Sequence, residues 1–126
     1  MHITNGFTLM TVARPLEVSA YLQEAFGLRA VFEADWYAQL KGPGFELGVI
    51  AEGHESIPPD HREVVRGAML TLEVADAAQA FEQRRADWEL VHGLRDEVWG
   101  QRHFMVRTPV GLVVDVVQPL GTPLPA

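Results

Sequence analysis

Residues 94–117, LRDEVWGQRHFMVRTPVGLVVDVV, decide how this chain folds. The stretch predicts two strands joined by a turn at Thr108–Gly111, where proline and glycine interrupt a β-rich sequence. Apolar residues occupy both faces of the second strand, and aromatic and charged residues gather where the first strand begins. We therefore expect this hairpin to form part of the core and, if the protein binds a small molecule, part of the wall of its site.

The composition restricts the classes of function. Of the 126 residues, 48% are hydrophobic and 21% are charged, and the formal net charge is -7. Such an acidic chain has no evident surface for neutralising phosphates, so nucleic acid is not an expected partner. Cysteine is absent, which excludes disulfides, zinc–thiolate sites and thiol nucleophiles. With no signal peptide and no apolar run near the roughly 20 residues that span a bilayer, we expect a cytoplasmic protein without membrane contact.

The chain has two copies of one β-α-β-β-β pattern. The first copy predicts a strand, a helix and three short strands at 7–12, 16–26, 29–32, 36–40 and 45–50. The second copy predicts the same order at 68–74, 76–86, 88–91, 101–106 and 112–117. A polar segment with several prolines and glycines separates module one, about 1–51, from module two, about 67–120, as a connection at about 52–66. We predict one domain over 1–126, an α+β fold whose tandem modules form curved mixed sheets around a concave cavity.

Strand alternation assigns side chains to the two faces of each sheet. One parity gives a continuous apolar face that suits packing under a helix, and the opposite, mixed parity suits the lining of a cavity. We align the two copies by matching Val12 with Val74 and Glu46 with Asp115 in the first and last strands. Matching Leu40 with Val106 in the penultimate strands places four further side chains on the cavity face: Tyr37, Gln39, His103 and Met105.

Three short motifs occur in an order that resembles the vicinal oxygen chelate superfamily, which includes glyoxalases, bleomycin-resistance proteins and extradiol dioxygenases. PLEVSAYLQEAFGL at 15–28 is similar to the family's FY-x-x-x-LGL stretch, and WGQRHF at 99–104 to its WG-x-R-x-F motif. RTPVG at 107–111 is similar to the DPDG turn, from which Thr108 and Val110 depart. The resemblance covers nearly the whole chain and implies the duplicated fold.

The resemblance also implies where a metal would bind in the enzymes of the family. The four ligand positions, carried over by the alignment above, are Phe7, Glu46, Met69 and Asp115. Phenylalanine offers no lone pair, and a methionine thioether is a soft ligand that suits hard divalent ions poorly. We therefore expect no metal cofactor and favour binding over catalysis. No catalytic residue is assigned.

Ten residues are candidates for contact with a ligand: Phe7, Tyr37, Gln39, Glu46, Met69, Trp99, Arg102, His103, Met105 and Asp115. The two carboxylates either reach water at an open cavity mouth or meet Arg102, His103 or a basic ligand.

Four of these candidates have alternative interpretations. His103 is either a donor, acceptor or base in the site or a hydrogen-bonded structural histidine. Arg102 either clamps a ligand carboxylate or forms an exposed salt bridge with Asp96 or Glu97. Trp99, like Tyr37, either stacks on a planar ligand or belongs to the core or a dimer contact.

Three hypotheses about function follow. The first is a metal-free protein of the bleomycin-resistance type that binds a small molecule such as an antibiotic and works as a homodimer. The second is a lyase or dioxygenase in which Glu46, His103 and Asp115 hold Fe, Mn or Zn. The third is a regulatory or structural dimer whose cavity is filled by its own side chains, and a fold alone does not choose among the three.

Overall fold

The predicted β-α-β-β-β order is confirmed in both modules. A computed structural model describes residues 1–121. The predicted domain extends to residue 126, so its last five residues, 122–126, lie outside the described part. The first module comprises β1 (Thr8–Val12), α1 (Pro15–Phe26), β2 (Arg29–Ala34), β3 (Tyr37–Gly42) and β4 (Phe45–Ala51). The second comprises β5 (Leu70–Glu73), α2 (Ala77–Gln83), β6 (Glu89–Glu97), β7 (Gln101–Arg107) and β8 (Val113–Pro119). Contacts divide the chain into two compact units, Met1–Arg66 and Gly67–Ala126.

Each module has one four-stranded mixed sheet. The strand order is β1-β4-β3-β2 in the first and β5-β8-β7-β6 in the second. The first and last strands of each module run parallel, and the other neighbours are antiparallel. In the first module α1 contacts β2, β3 and β4, and the residues on that side of the sheet, such as Ala38, Leu40 and Val49, are fully buried. Burying each of the larger ones stabilises the fold by roughly 1.5–3 kcal/mol, which leaves the opposite face of the sheet for other uses.

Both helices begin on recognisable signals, and α1 also ends on one. Pro15 occupies the first turn of α1, where its missing N–H costs nothing. Gly27 ends α1 with φ 72°, a left-handed conformation that glycine adopts without strain, and the Leu28 N–H then bonds the Leu22 carbonyl at 3.3 Å. The Asp76 side chain caps α2 by accepting from the Gln79 N–H at 3.0 Å. No helix within residues 1–121 is long and apolar enough to cross a membrane.

The strand β6 is the largest departure from the predicted elements. We predicted a strand over 88–91, whereas β6 spans Glu89–Glu97 and pairs with β7 along its length. Its register shifts between Leu90 and His92 and again between His92 and Arg95. These irregularities disrupt the alternation on which a sequence pattern depends, and they bring charged side chains of β6 beside β7.

The register corrects the predicted match of Glu46 with Asp115 by two residues. In the first module Leu9 of β1 pairs with Gly48 of β4, and in the second Thr71 of β5 pairs with Asp115 of β8. Because Leu9 and Thr71 correspond in the predicted alignment of the first strands, the counterpart of Asp115 is Gly48. The prediction matched carboxylate with carboxylate, although the turn before the last strand is longer in the second module.

Candidate functional site

The face of the first sheet opposite α1 carries a row of polar side chains. Across β3 and β4, Tyr37 pairs with Ile50, Gln39 with Gly48 and Lys41 with Glu46, and these pairs have the parity opposite to the buried core residues. The structure thus brings together three of the predicted site residues, Tyr37, Gln39 and Glu46. Their position follows from the two-residue turn at Pro43 and Gly44, which fixes the register of the hairpin.

Glu46 is held by three donors of its own module. Its Oε2 accepts from Gln39 Nε2 at 2.8 Å, and its Oε1 accepts from Asn5 Nδ2 at 3.1 Å. Lys41 Nζ lies 3.5 Å from the same Oε1. The hydrogen bonds from Gln39 and then Asn5 lower the pKa of Glu46 below its ordinary value, with a smaller contribution from the charge of Lys41. Glu46 is therefore a fixed anion at neutral pH.

The charge of Glu46 sets the direction of the whole chain of hydrogen bonds. An ionised carboxylate only accepts, so Gln39 must turn its NH₂ group toward Glu46 and its Oε1 away from it. That oxygen accepts from the Tyr37 hydroxyl, which therefore donates its only proton within the protein. Burial, followed by the charge of Glu46, raises the pKa of Tyr37, so the phenol stays protonated at neutral pH. The phenol oxygen is left with acceptor capacity only.

Gly48 makes room for this chain of hydrogen bonds. A Cβ added at residue 48 would lie 2.6 Å from the Tyr37 hydroxyl oxygen and 3.0 Å from Leu9 Cδ1. The first distance is shorter than real carbon–oxygen contacts, so any side chain at residue 48 would displace the tyrosine hydroxyl. The same gap places the Leu9 side chain next to the polar row.

Aromatic side chains surround the polar row. Phe7 is 49% exposed and Phe32 is 52% exposed, although both are large and apolar. The rings of Phe32 and Trp36 lie 6.1 Å and 5.4 Å from that of Tyr37. Sequence reasoning missed Phe32 and Trp36. Phe32 pairs with Gln39 across β2 and β3, but a register shift separates it from Ala30, which pairs with Leu40. Alternation from Ala30 therefore assigns Phe32 to the wrong face of the sheet.

In the second module His103 lies between two carboxylates. Its Nδ1 is 2.8 Å from Asp115 Oδ1 and its Nε2 is 2.8 Å from Glu97 Oε2. The His103 side chain is only 6% exposed, and those of Asp115 and Glu97 are 13% and 15% exposed. The predicted meeting of His103 with Asp115 is thus observed. Glu97 was missed as a partner because its strand, β6, extends beyond the predicted one.

The two carboxylates determine the protonation state of His103. Burial acts to lower its pKa, but the hydrogen bonds and charges of Glu97 and Asp115 outweigh burial and raise the pKa above its ordinary value. The hydrogen bond from His103, followed by that from Arg95, lowers the pKa of Glu97. Both ring nitrogens lie at hydrogen-bond distance from carboxylate oxygens, which only accept when ionised, so the protonated form of His103 donates from both nitrogens. This geometry favours the structural interpretation of His103 over that of a general base, which needs a free lone pair.

Of the alternatives open for Arg102, the structure shows the salt bridge with Asp96. Its Nε and one terminal nitrogen contact the two carboxylate oxygens of Asp96 at 2.7 Å and 3.0 Å. As a neighbour of His103 along β7, Arg102 points to the opposite face of the sheet. Arg102 therefore forms an exposed salt bridge with Asp96. Glu46 has its partners within the first module.

Three candidates of the second module remain. Trp99 is half exposed, and its indole N–H donates to Gln101 Oε1 at 2.7 Å. Met105 pairs with Asp115 across β7 and β8, and Met69, 47% exposed, precedes β5. Contact of these three with a ligand stays a prediction.

A family profile for the Glyoxalase/Bleomycin resistance protein/Dioxygenase superfamily matches residues 4–116. The chain belongs to this superfamily. The resemblance found in the sequence is thereby confirmed, and the match includes all the strands that carry the polar row and His103 up to residue 116.

Several solved structures share the superfamily fold with this chain. TioX from Micromonospora sp. ML1 is 20% identical with a TM-score of 0.67, and the match covers 92% of this chain and 100% of that one. Lactoylglutathione lyase from Agrobacterium tumefaciens is 15% identical with a TM-score of 0.72, covering 94% and 96%. A glyoxalase/bleomycin resistance protein/dioxygenase from Nocardioides is 20% identical with a TM-score of 0.71, covering 100% and 91%. No protein of curated function matches.

The residues present do not fit the metal site that the superfamily implies. With Gly48 as the counterpart of Asp115, the four ligand positions become Phe7, Gly48, Met69 and Asp115, of which only Asp115 has a hard oxygen donor. Among residues 1–121 no group of three or more histidines and carboxylates is arranged to hold a metal ion.

The alternative set of displaced ligands fits no better. His103 donates from both ring nitrogens to carboxylates, so it has no lone pair for a metal. Glu46, the third member of the predicted set, lies in the first unit, and both of its oxygens already accept from amide groups there.

Proposed function

We propose that this superfamily member binds a small organic molecule without a metal ion, on the face of the first module that presents Glu46. The ligand has a cationic or hydrogen-bond-donating group beside a planar or apolar body. The observation that carries the proposal is an ionised carboxylate, fixed by amide donors, among exposed aromatic rings.

The direction of the hydrogen bonds supports a donor on the ligand. Tyr37 and Gln39 each direct a donor toward the next member of the row, so the row has acceptor capacity to offer at the Tyr37 oxygen and at Glu46. A ligand carboxylate or phosphate would meet oxygen lone pairs there, whereas an ammonium or amidinium group would bond them. The exposed rings of Phe7 and Phe32 supply apolar surface of the kind that ligand pockets use.

Binding is proposed rather than catalysis because the two obvious reactive groups are engaged. Both nitrogens of His103 donate to carboxylates, and Glu46 is held by Gln39, Asn5 and Lys41. We also propose that the protein works as a homodimer, since exposed apolar residues outside the proposed ligand site, such as Val31, Met69 and Val98, favour burial against a second chain. Antibiotics with cationic groups are one class of candidate ligand.

Isothermal titration with benzylammonium, an aromatic ring with one cationic donor, tests the proposal. We expect binding to the wild-type protein and affinity about tenfold weaker in Glu46→Gln, because a charge-assisted hydrogen bond becomes a neutral one. Glu17→Gln removes the same charge from an exposed position on α1 and is expected to bind like wild type. Equal affinities in the Glu46→Gln and wild-type proteins, or no heat with benzylammonium and a panel of glycopeptide, quinoxaline and mitomycin compounds, contradict the proposal.

A further inference from the structure

The connection between the modules folds back onto the first module. β1 lies at the edge of its sheet, and the end of the connection bonds to its free side. There the Val65 N–H donates to the Thr11 carbonyl at 2.9 Å, whereas the bond from the Glu52 N–H to the Val12 carbonyl at 2.8 Å continues the ladder between β1 and β4. The Thr11 hydroxyl donates to the His61 carbonyl at 3.3 Å. The connection is therefore a wall of the first module and not merely a linker.

A cavity of about 400 Å³ lies between this wall and β1. Its lining is mostly apolar and comprises Leu9, Thr11, Ile57, Pro58, His61, Glu63 and Val65. The volume falls within the roughly 300–1,000 Å³ of small-molecule sites. His61 and Glu63 are its polar members, and the surface formed by Leu9, Ile57, Pro58 and Val65 suits an uncharged apolar group.

Arg62 holds the connection in the shape that forms the cavity. Its Nε donates to the Ile57 carbonyl at 2.6 Å, and a terminal nitrogen donates to the Glu55 carbonyl at 3.1 Å. The Arg62 carbonyl in turn accepts from the Gly53 N–H at 2.8 Å. The guanidinium thus links two carbonyls of a segment that has little regular structure, because a planar fork of donors can satisfy several carbonyls at once, and the backbone carbonyl of Arg62 adds a third link.

Leu9 joins the cavity to the polar row. It lines the cavity, and its Cδ1 also borders the gap above Gly48, where the Tyr37 hydroxyl lies. We propose that this cavity is a subsite for an aliphatic or aryl group of the ligand whose donor meets Glu46, and that Arg62 is its positioning residue. The inference rests on the proposed function and adds that the connection sets specificity for the apolar part of the ligand.

A series of n-alkylammonium ions from butyl to octyl measures binding in the subsite apart from binding at Glu46. If the added carbons enter the cavity, the affinity of the wild-type protein measured by titration calorimetry rises by up to about fourfold per methylene. In Ile57→Ser and Val65→Ser the rise per methylene is expected to shrink, while butylammonium binds as in wild type. Val64→Ser is the matched control, because the side chain of Val64 lines a different surface.

Arg62→Gln tests the positioning role. It removes the guanidinium that holds Ile57, so we expect the methylene increment to fall while the affinity for butylammonium stays within error of wild type. Thermal unfolding followed by circular dichroism checks that each variant is folded. If Val65→Ser does not fold, Val65→Phe, which fills the cavity, is expected to block octylammonium and to spare butylammonium.

The possible outcomes distinguish the two proposals. If no alkylammonium binds, or if binding does not depend on Glu46, the proposed function fails and the subsite fails with it. If butylammonium binds in a Glu46-dependent way but affinity does not rise with chain length, the subsite alone is overturned. A rise that persists unchanged in Val65→Ser, Ile57→Ser and Arg62→Gln also overturns it.

Discussion

The protonation of His103 makes the stability of the second module depend on pH. Its pKa is raised in the folded protein above the ordinary 6.5, so the folded state binds this proton more tightly than the unfolded chain does. The resulting stabilisation is complete below pH 6.5 and is lost as the pH rises through the raised pKa. We expect the free energy of unfolding in urea to decrease from neutrality upward, and this decrease to be absent in His103→Gln.

The same variant has a second expected effect at neutral pH. Glutamine is neutral and cannot donate to both carboxylates, so Asp115 loses a charge-assisted hydrogen bond in a nearly water-free position. We therefore expect the free energy of unfolding to fall by about 2 kcal/mol. His2→Gln, at an exposed residue outside every strand, serves as control and should reproduce the wild-type stability curve. A His103→Gln protein that retains the wild-type pH dependence would rule out His103 as its source.

The hairpin of β7 and β8 is closed by a threonine where the family turn has an aspartate. Thr108 is 6% exposed, its hydroxyl donates to the Leu112 carbonyl at 2.7 Å, and the Leu112 N–H donates back to it at 3.0 Å. Thr108→Val keeps the shape and leaves the Leu112 N–H without this partner, while the Leu112 carbonyl still accepts from the backbone N–H of residue 108 at 2.8 Å, so we expect a loss of about 1–2 kcal/mol in urea unfolding. Thr108→Ser keeps the hydroxyl and should lose much less; equal losses in the two variants would contradict this role.

Strand parity and strand register differ in how far the sequence determines them. Parity depends on alternation within one strand, so the common face of Tyr37, Gln39 and Glu46 could be predicted from residues alone. Register depends on the turn and on bulges, and β6 has two shifts that no alternation reveals, so its contact between Glu97 and His103 was missed. The contact of Asn5 with Glu46 joins residues 41 apart, and because Asn5 precedes β1 and belongs to no strand, only tertiary structure brings them together.

The protein as a whole is strongly anionic, which bears on how it would meet a cation. The net charge of -7 arises from 17 acidic against 10 basic residues. Such a field attracts cations over distances up to the Debye length, which falls from about 30 Å at 0.01 M salt to about 3 Å at 1 M. Added salt therefore weakens the long-range part of this attraction, whereas it does not screen the apolar contacts inside a cavity.

The dependence of affinity on salt should consequently distinguish binding at Glu46 from binding in the cavity. We expect the affinity for butylammonium to fall severalfold between about 0.01 M and 1 M salt, because screening weakens its attraction to Glu46 and to the net charge. The additional affinity of octylammonium over butylammonium should not fall, since burial of methylenes does not depend on charge. Parallel titrations of Glu46→Gln provide the control, in which the salt dependence should be smaller. If salt removes the chain-length increment as well, the alkyl groups bind through their charge alone and not through the cavity under the connection.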